Sequence, residues 1–163
     1  MTTLNLKVDK MRYQTNSLGY WLVFLSLALS IIALFTLITY DEFTISGDRV
    51  RVAPDLRIGL EIALAIILML TTFLAAEKVK YYHPFWSGAG LFGLAALNFL
   101  RIFNIPLYAF ENAWIPERIK TLTIIEFAVA GALLLVAGVI SLRKVLLLKH
   151  HMKAIDNNGN DAV

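Results

Sequence analysis

The sequence predicts an all-α membrane protein: a bundle of four transmembrane helices with both termini cytoplasmic, an extracytoplasmic β-hairpin in the first loop and an interfacial helix in the second. Three observations carry this. Of 163 residues, 58% are hydrophobic and 17% charged, with a mean hydropathy of +0.68, whereas soluble domains carry about a quarter charged residues. The apolar residues fall into four long runs, the pattern of a chain that crosses a bilayer repeatedly. Lys and Arg favour alternate connections between those runs, which fixes an orientation.

The first run, 18–40, contains no charged residue and is long enough to cross about 30 Å of hydrocarbon. It exceeds the core of a cleavable signal peptide. Asp41-Glu42 follow it in place of a small-residue cleavage site, so it reads as a retained helix. The other three spans are read at 56–76, 84–103 and 119–142. Their uncharged cores cover only 62–76, 84–100 and 127–142, each shorter than the roughly 20 residues a span requires. Each span therefore has to reach past an ionisable residue: Glu61, Arg101 and Glu126 respectively. The spans and their loops form a single domain, 1–155, and the polar residues 156–163 read as a disordered tail.

Lys7, Lys10 and Arg12 precede the first span, Lys78 and Lys80 separate the second and third, and Arg143, Lys144, Lys149 and Lys153 follow the fourth. Arg49, Arg51, Arg57, Arg118 and Lys120 lie on the opposite side. The more basic side is assigned to the cytoplasm. Aromatic residues mark both boundaries: Tyr20, Trp21 and "YYHPFW" (81–86) inside, Tyr40, Tyr108, Phe110 and Trp114 outside. Such rings have one apolar and one wet edge and settle at headgroup level.

In the first outer loop, "FTI" and "RVRV" flank Ser46-Gly47-Asp48, the signature of a short hairpin. In the second, Pro106 and Pro116 bracket a segment with Leu107, Phe110 and Trp114 on one face and Glu111 and Asn112 on another. That pattern predicts a short helix lying on the membrane surface. The short inner loop makes spans two and three antiparallel neighbours. The basic stretch 143–153 continues the fourth helix inward, and Arg143, Lys144, Lys149 and Lys153 form a patch for anionic lipid headgroups.

Counting depth groups the ionisable residues. Glu61, Arg101 and Glu126 lie 15 or 16 residues from inner boundaries at Ala76, Trp86 and Leu142, which is about 22–24 Å at roughly 1.5 Å per residue. They share one level near the outer edge of the hydrocarbon. Helical spacing places Asn98, Leu97, Gly93 and Gly90 on the Arg101 stripe. It places Thr123, Ala130 and Ala137 with Glu126, and Arg57, Ala65 and Thr72 with Glu61. Small residues on a transmembrane helix turn towards another helix, so the charges are expected to meet one another. The expectation is a polar layer of Glu61, Arg101, Glu126, Asn98 and Arg57 in which Arg101 bridges both carboxylates. Two carboxylates against one guanidinium leave a negative charge for Arg57, Lys120, a proton or a cation to balance. The layer acts either as a helix staple or as an ion-handling site.

The sequence excludes much chemistry. It contains no cysteine, so disulfides, thiol catalysis and thiolate metal sites are ruled out. His83, His150 and His151 lie in loops or the inner extension, where they cannot ligate haem within the bundle. No phosphate-binding loop, nucleophile elbow or zinc-helix motif occurs. No metal site and no cofactor is expected. The basic stretches are short and membrane-proximal, which argues against nucleic acid. The expected function is therefore non-catalytic: an accessory subunit of a larger membrane complex such as a transporter, in a prokaryotic plasma membrane. Its partners would be the lipid bilayer and another integral membrane protein or a second copy. The alternative is a small oligomeric transporter or channel that uses the Glu61/Arg101/Glu126 cluster.

Overall fold

A computed structural model describes residues 15–39, 42–45, 48–51, 56–104, 106–111 and 115–160, with backbone alone at 37–39, 42–45, 48–51, 56–58, 109–110 and 155–160. Among the described residues, the regular structure is helical apart from two short strands. Helix α1 spans Ser17–Thr39, α2 Leu56–Lys80, α3 Leu91–Asn104, α4 Pro106–Glu111 and α5 Glu117–Asn160. Strands β1, Glu42–Ile45, and β2, Asp48–Arg51, run antiparallel with Phe43 opposite Val50. Four segments are long and apolar enough to cross a membrane: Ser17–Thr36, Gly59–Lys80, Trp86–Tyr108 and Glu117–Ala154. The chain is a multi-pass membrane protein, and its outward faces agree. Leu25, Ile32, Phe35, Leu60, Ile67, Leu70, Leu100 and Val139 are all exposed, which suits hydrocarbon and not water.

Local chemistry explains the helix ends. Asn16 caps α1, its Oδ1 accepting from the Gly19 amide at 3.3 Å, the position an N-cap side chain serves. Helix α2 closes in a Schellman arrangement: the His83 amide donates to the Lys78 carbonyl and the Tyr82 amide to the Val79 carbonyl, both at 3.1 Å. That turn requires positive φ, and Tyr82 supplies it at 59°, a conformation costing a non-glycine residue about 1–2 kcal/mol. Pro116 precedes α5, and Glu117 sits in its first turn against the positive end of the helix dipole. The third span opens with a π-helical turn, Trp86–Gly90. There a Cβ on Gly90 would fall 2.6 Å from the Trp86 ring.

The packing order differs from the order in sequence. Helices α1 and α5 form the main contact, α3 lies on α5, α2 lies on α1, and α2 and α3 barely touch. Spans two and three, expected as antiparallel neighbours, meet mainly at the π-helical start of the third span, next to the turn at 81–85. Small residues decide the packing order. Ser26, Ala33, Ala130 and Ala137 are fully buried and let α1 and α5 approach until the Ser26 hydroxyl donates to the Ala130 carbonyl at 2.9 Å. On the α3–α5 side, a Cβ on Gly131 would lie 2.9 Å from the Phe99 ring, and one on Gly138 2.9 Å from Phe92. Two aromatic knobs one heptad apart thus fill two glycine holes one heptad apart, in antiparallel register. Gly93, expected on a contact face, is exposed with open space beside it. The buried face of α3 instead comprises Leu91, Leu94, Ala95, Asn98 and Arg101. Val23, Leu68, Leu94 and Leu134 join the apolar core around it.

Helix α5 runs well past the expected span and stays helical to Asn160, into the stretch whose composition reads as a tail. Residues 161–163, the side chains of Arg57, Phe110 and Trp114, and the hairpin turn at 46–47 lie outside the described residues.

Candidate functional site: a polar column through the bundle

The level of Arg101 draws on all four spanning helices. Arg101 on α3 and Glu61 on α2 are 3% and 5% exposed, and Arg101 Nε donates to Glu61 Oε1 at 2.8 Å. The pair joins α2 and α3, two helices that otherwise barely touch. On its other side the guanidinium carbon lies 4.3 Å from the Phe127 ring centroid on α5, within cation–π range. Charge, hydrogen bond and ring face together hold the guanidinium in place.

Glu126 is placed differently from the expectation. Among the described residues no ion pair joins it to Arg101. Phe127 occupies the guanidinium face that α5 presents. Glu126, one position earlier, turns towards α1 and faces the Thr36 hydroxyl, which donates to the Ile32 carbonyl at 3.0 Å. Arg101 therefore holds one carboxylate in place of bridging two. Arg101 Nη2 and Glu126 Oε2 are both buried without a hydrogen-bond partner among the described residues. Arg57 lies on α2 about one turn before Glu61.

Below this level the bundle is not purely apolar. Asn98 is buried on α3, with Nδ2 donating to the Leu94 carbonyl at 3.0 Å and Oδ1 accepting from Ser30 on α1 at 3.4 Å. Ser30 also reaches the Ser26 carbonyl at 3.0 Å, and Ser26 bonds to α5 as described. A hydrogen-bonded ladder thus links α3, α1 and α5 at mid-depth. Thr72 and Thr123 are buried too, but their hydroxyls donate to carbonyls one turn back in their own helices, Leu68 and Ile119. They consume their donors locally.

A third level, around Asn16, escaped the sequence reading. Asn16 Nδ2 donates to Ser141 at 2.8 Å, Lys144 Nζ donates to Asn16 Oδ1 at 3.0 Å, and the Asn16 amide donates to the Lys80 carbonyl at 2.9 Å. One asparagine therefore ties the starts of α1 and the ends of α2 and of the fourth span together. Two signals in the sequence point to it: Asn-Ser directly before an apolar run is an N-cap pattern, and Ser141 extends the Ala130–Ala137 stripe. Lys144 consequently leaves the expected headgroup patch, while Arg143, Lys149 and Lys153 remain exposed. Lys80 Nζ stands 5.1 Å from the Tyr20 ring centroid, within cation–π range.

Among the described residues, no group of three His, Asp or Glu side chains stands close enough to hold a metal ion. The arrangement as a whole is that of a four-span membrane bundle in which a few side-chain pairs, Arg101–Glu61, Ser30–Asn98 and Asn16–Ser141, join helices while most other buried hydroxyls bond to backbone carbonyls. Comparison with known proteins finds no matching family model, no matching curated protein and no matching solved structure.

Proposed function

We propose that the chain is a non-catalytic subunit or accessory protein of a larger membrane complex such as a transporter. The buried Arg101–Glu61 pair carries this reading. The most costly intramembrane charge is committed to joining two helices, and the mid-depth polar groups are committed in the same way. The predicted orientation places both termini in the cytoplasm of a prokaryotic plasma membrane. The two-stranded segment and helix α4 then face outside as the surface offered to an integral membrane partner, with α4 on the interface. Arg143, Lys149 and Lys153 face anionic headgroups inside. The test is purification of a tagged copy in mild detergent. Stoichiometric recovery of a larger membrane protein supports the reading, and recovery of a lone homo-oligomer that conducts ions in liposomes overturns it.

A second reading, a small oligomeric transporter or channel, is favoured by one observation: the buried, unpartnered Glu126 Oε2 and Arg101 Nη2. Unbonded polar atoms of this kind mark a place where a proton or a small polar species binds. Reconstituted protein whose proton or cation flux vanishes with Glu126→Gln would establish this reading. Equal flux in the two forms would remove it.

A further inference from the structure

Glu61 and Glu126 lie at one level of the sequence count, and the structure gives them opposite surroundings. Glu61 is 5% exposed, and its Oε1 accepts from Arg101 Nε at 2.8 Å. A guanidinium stays charged, so this pair holds Glu61 as a carboxylate. Among the described residues no ion pair reaches Glu126. Its contact is the Thr36 hydroxyl on α1, and its Oε2 is buried without a hydrogen-bond partner there.

Counting hydrogens decides the form of the Glu126 carboxyl. A threonine hydroxyl carries one hydrogen. Thr36 directs it to the Ile32 carbonyl at 3.0 Å, which leaves Oγ1 as an acceptor towards Glu126. A carboxylate only accepts, whereas a carboxylic acid supplies one O–H donor. The contact closes with a proton on Glu126 and opposes two acceptors without one. A neutral acid also makes the stranded Oε2 an uncharged oxygen, which costs far less in hydrocarbon than a charged one. A hard metal cation takes about six oxygens or more, and one carboxyl beside one hydroxyl offers too few.

The titratable groups on the elements packed against α5 are Tyr20 on α1, Arg101 on α3, and Tyr108 and Glu111 on α4; Glu117, Arg118 and Lys120 precede Glu126 on α5 itself. Arg101, at the same level, is committed to Glu61. Leu122, Ile125 and Val129 beside Glu126 are exposed, so the half-buried Glu126 borders the lipid-facing side of α5 while Glu61 is closed off.

We propose that Glu126 is a proton-binding site: a carboxylic acid at the α1–α5 contact whose O–H donates to Thr36 Oγ1, while Glu61 stays ionised against Arg101. The proposal rests on the transporter reading's choice of Glu126 as a binding group and names its ligand as the proton. It requires occupancy, not movement of that proton across the membrane.

Dicyclohexylcarbodiimide, a lipid-soluble reagent, distinguishes the two carboxyls in the full-length protein in liposomes at neutral pH. The acid's proton passes to a carbodiimide nitrogen, its oxygen adds to the central carbon, and the O-acylisourea so formed rearranges to a stable N-acylurea. Peptide mass spectrometry is expected to find that adduct on Glu126, with several-fold less on Glu61. The infrared carbonyl stretch of a protonated carboxyl reads the same proton without reagent access. It is expected to vanish in Glu126→Gln, to persist in Glu61→Gln, and to move to higher frequency in Thr36→Val, which only removes the acceptor. An adduct favouring Glu61, no such band in the unsubstituted protein, or an unshifted band in Thr36→Val overturns the proposal. An adduct on Glu126 without proton flux upholds the site and removes the transporter reading. Glu126-dependent flux of an alkali cation without adduct or band upholds that reading and overturns the site.

Discussion

At the scale of single residues, the Arg101–Glu61 pair decides most. A lone arginine at the centre of a span costs about 2.5–3.5 kcal/mol on insertion scales, and removing one partner of a buried pair costs about 3–5 kcal/mol. Glu61→Leu is therefore expected to destabilise by about 3 kcal/mol, and Glu61→Leu with Arg101→Leu by clearly less, read as the detergent melting temperature. Arg101→Glu is expected to be rescued by Glu61→Arg and not by Glu126→Arg. Rescue by Glu126→Arg alone would sink the assignment. Arg101→Lys keeps the charge but loses the planar stack on Phe127, at an expected cost of about 1 kcal/mol. The sequence brought Arg101 and Glu61 to one level by counting depth. It could not say that Glu126 faces Thr36, because neighbouring positions on a helix point about 100° apart and only the packing order shows which helix each one meets.

At the scale of elements, the α3–α5 contact rests on shape. Gly131→Leu is expected to displace the Phe99 ring and lower the melting temperature, and Phe99→Ala in the same chain is expected to restore much of the loss. Loss without any rescue would show that the glycine serves a different contact. Helix positions and small-residue faces were legible because apolar run length and spacing follow directly from bilayer thickness and helix pitch. Gly93 shows the limit: lipid and bundle interior are equally apolar, so a stripe of small residues marks a contact only when a neighbour supplies the matching bulk. Span four has that match in Phe92 and Phe99, and Gly93 has none.

At the scale of the molecule, four spans were legible and their arrangement was not. The short connection at 77–85 predicts that spans two and three are antiparallel neighbours, whereas α1 and α5, far apart in sequence, make the main contact. The small side chains and polar ladder between α1 and α5 outweigh proximity along the chain. Orientation is open to direct measurement. With membrane-impermeant maleimide on intact cells, Glu117→Cys is expected to label from outside, and Thr15→Cys and Met152→Cys only after permeabilisation. The reverse pattern would invert the assigned topology.

Helix α5 is continuous over 44 residues, about 66 Å of rod at 1.5 Å per residue. It bonds to α1 at Ala130, about 20 Å from its Glu117 end, and to the cap of α1 at Ser141 and Lys144. Beyond Lys144 a further stretch of about 24 Å continues to Asn160, so a tilt of about 5° about that second anchor displaces the Asn160 end by roughly 2 Å. Mechanically, the longest helix is a lever whose free arm carries the basic side chains beyond Lys144.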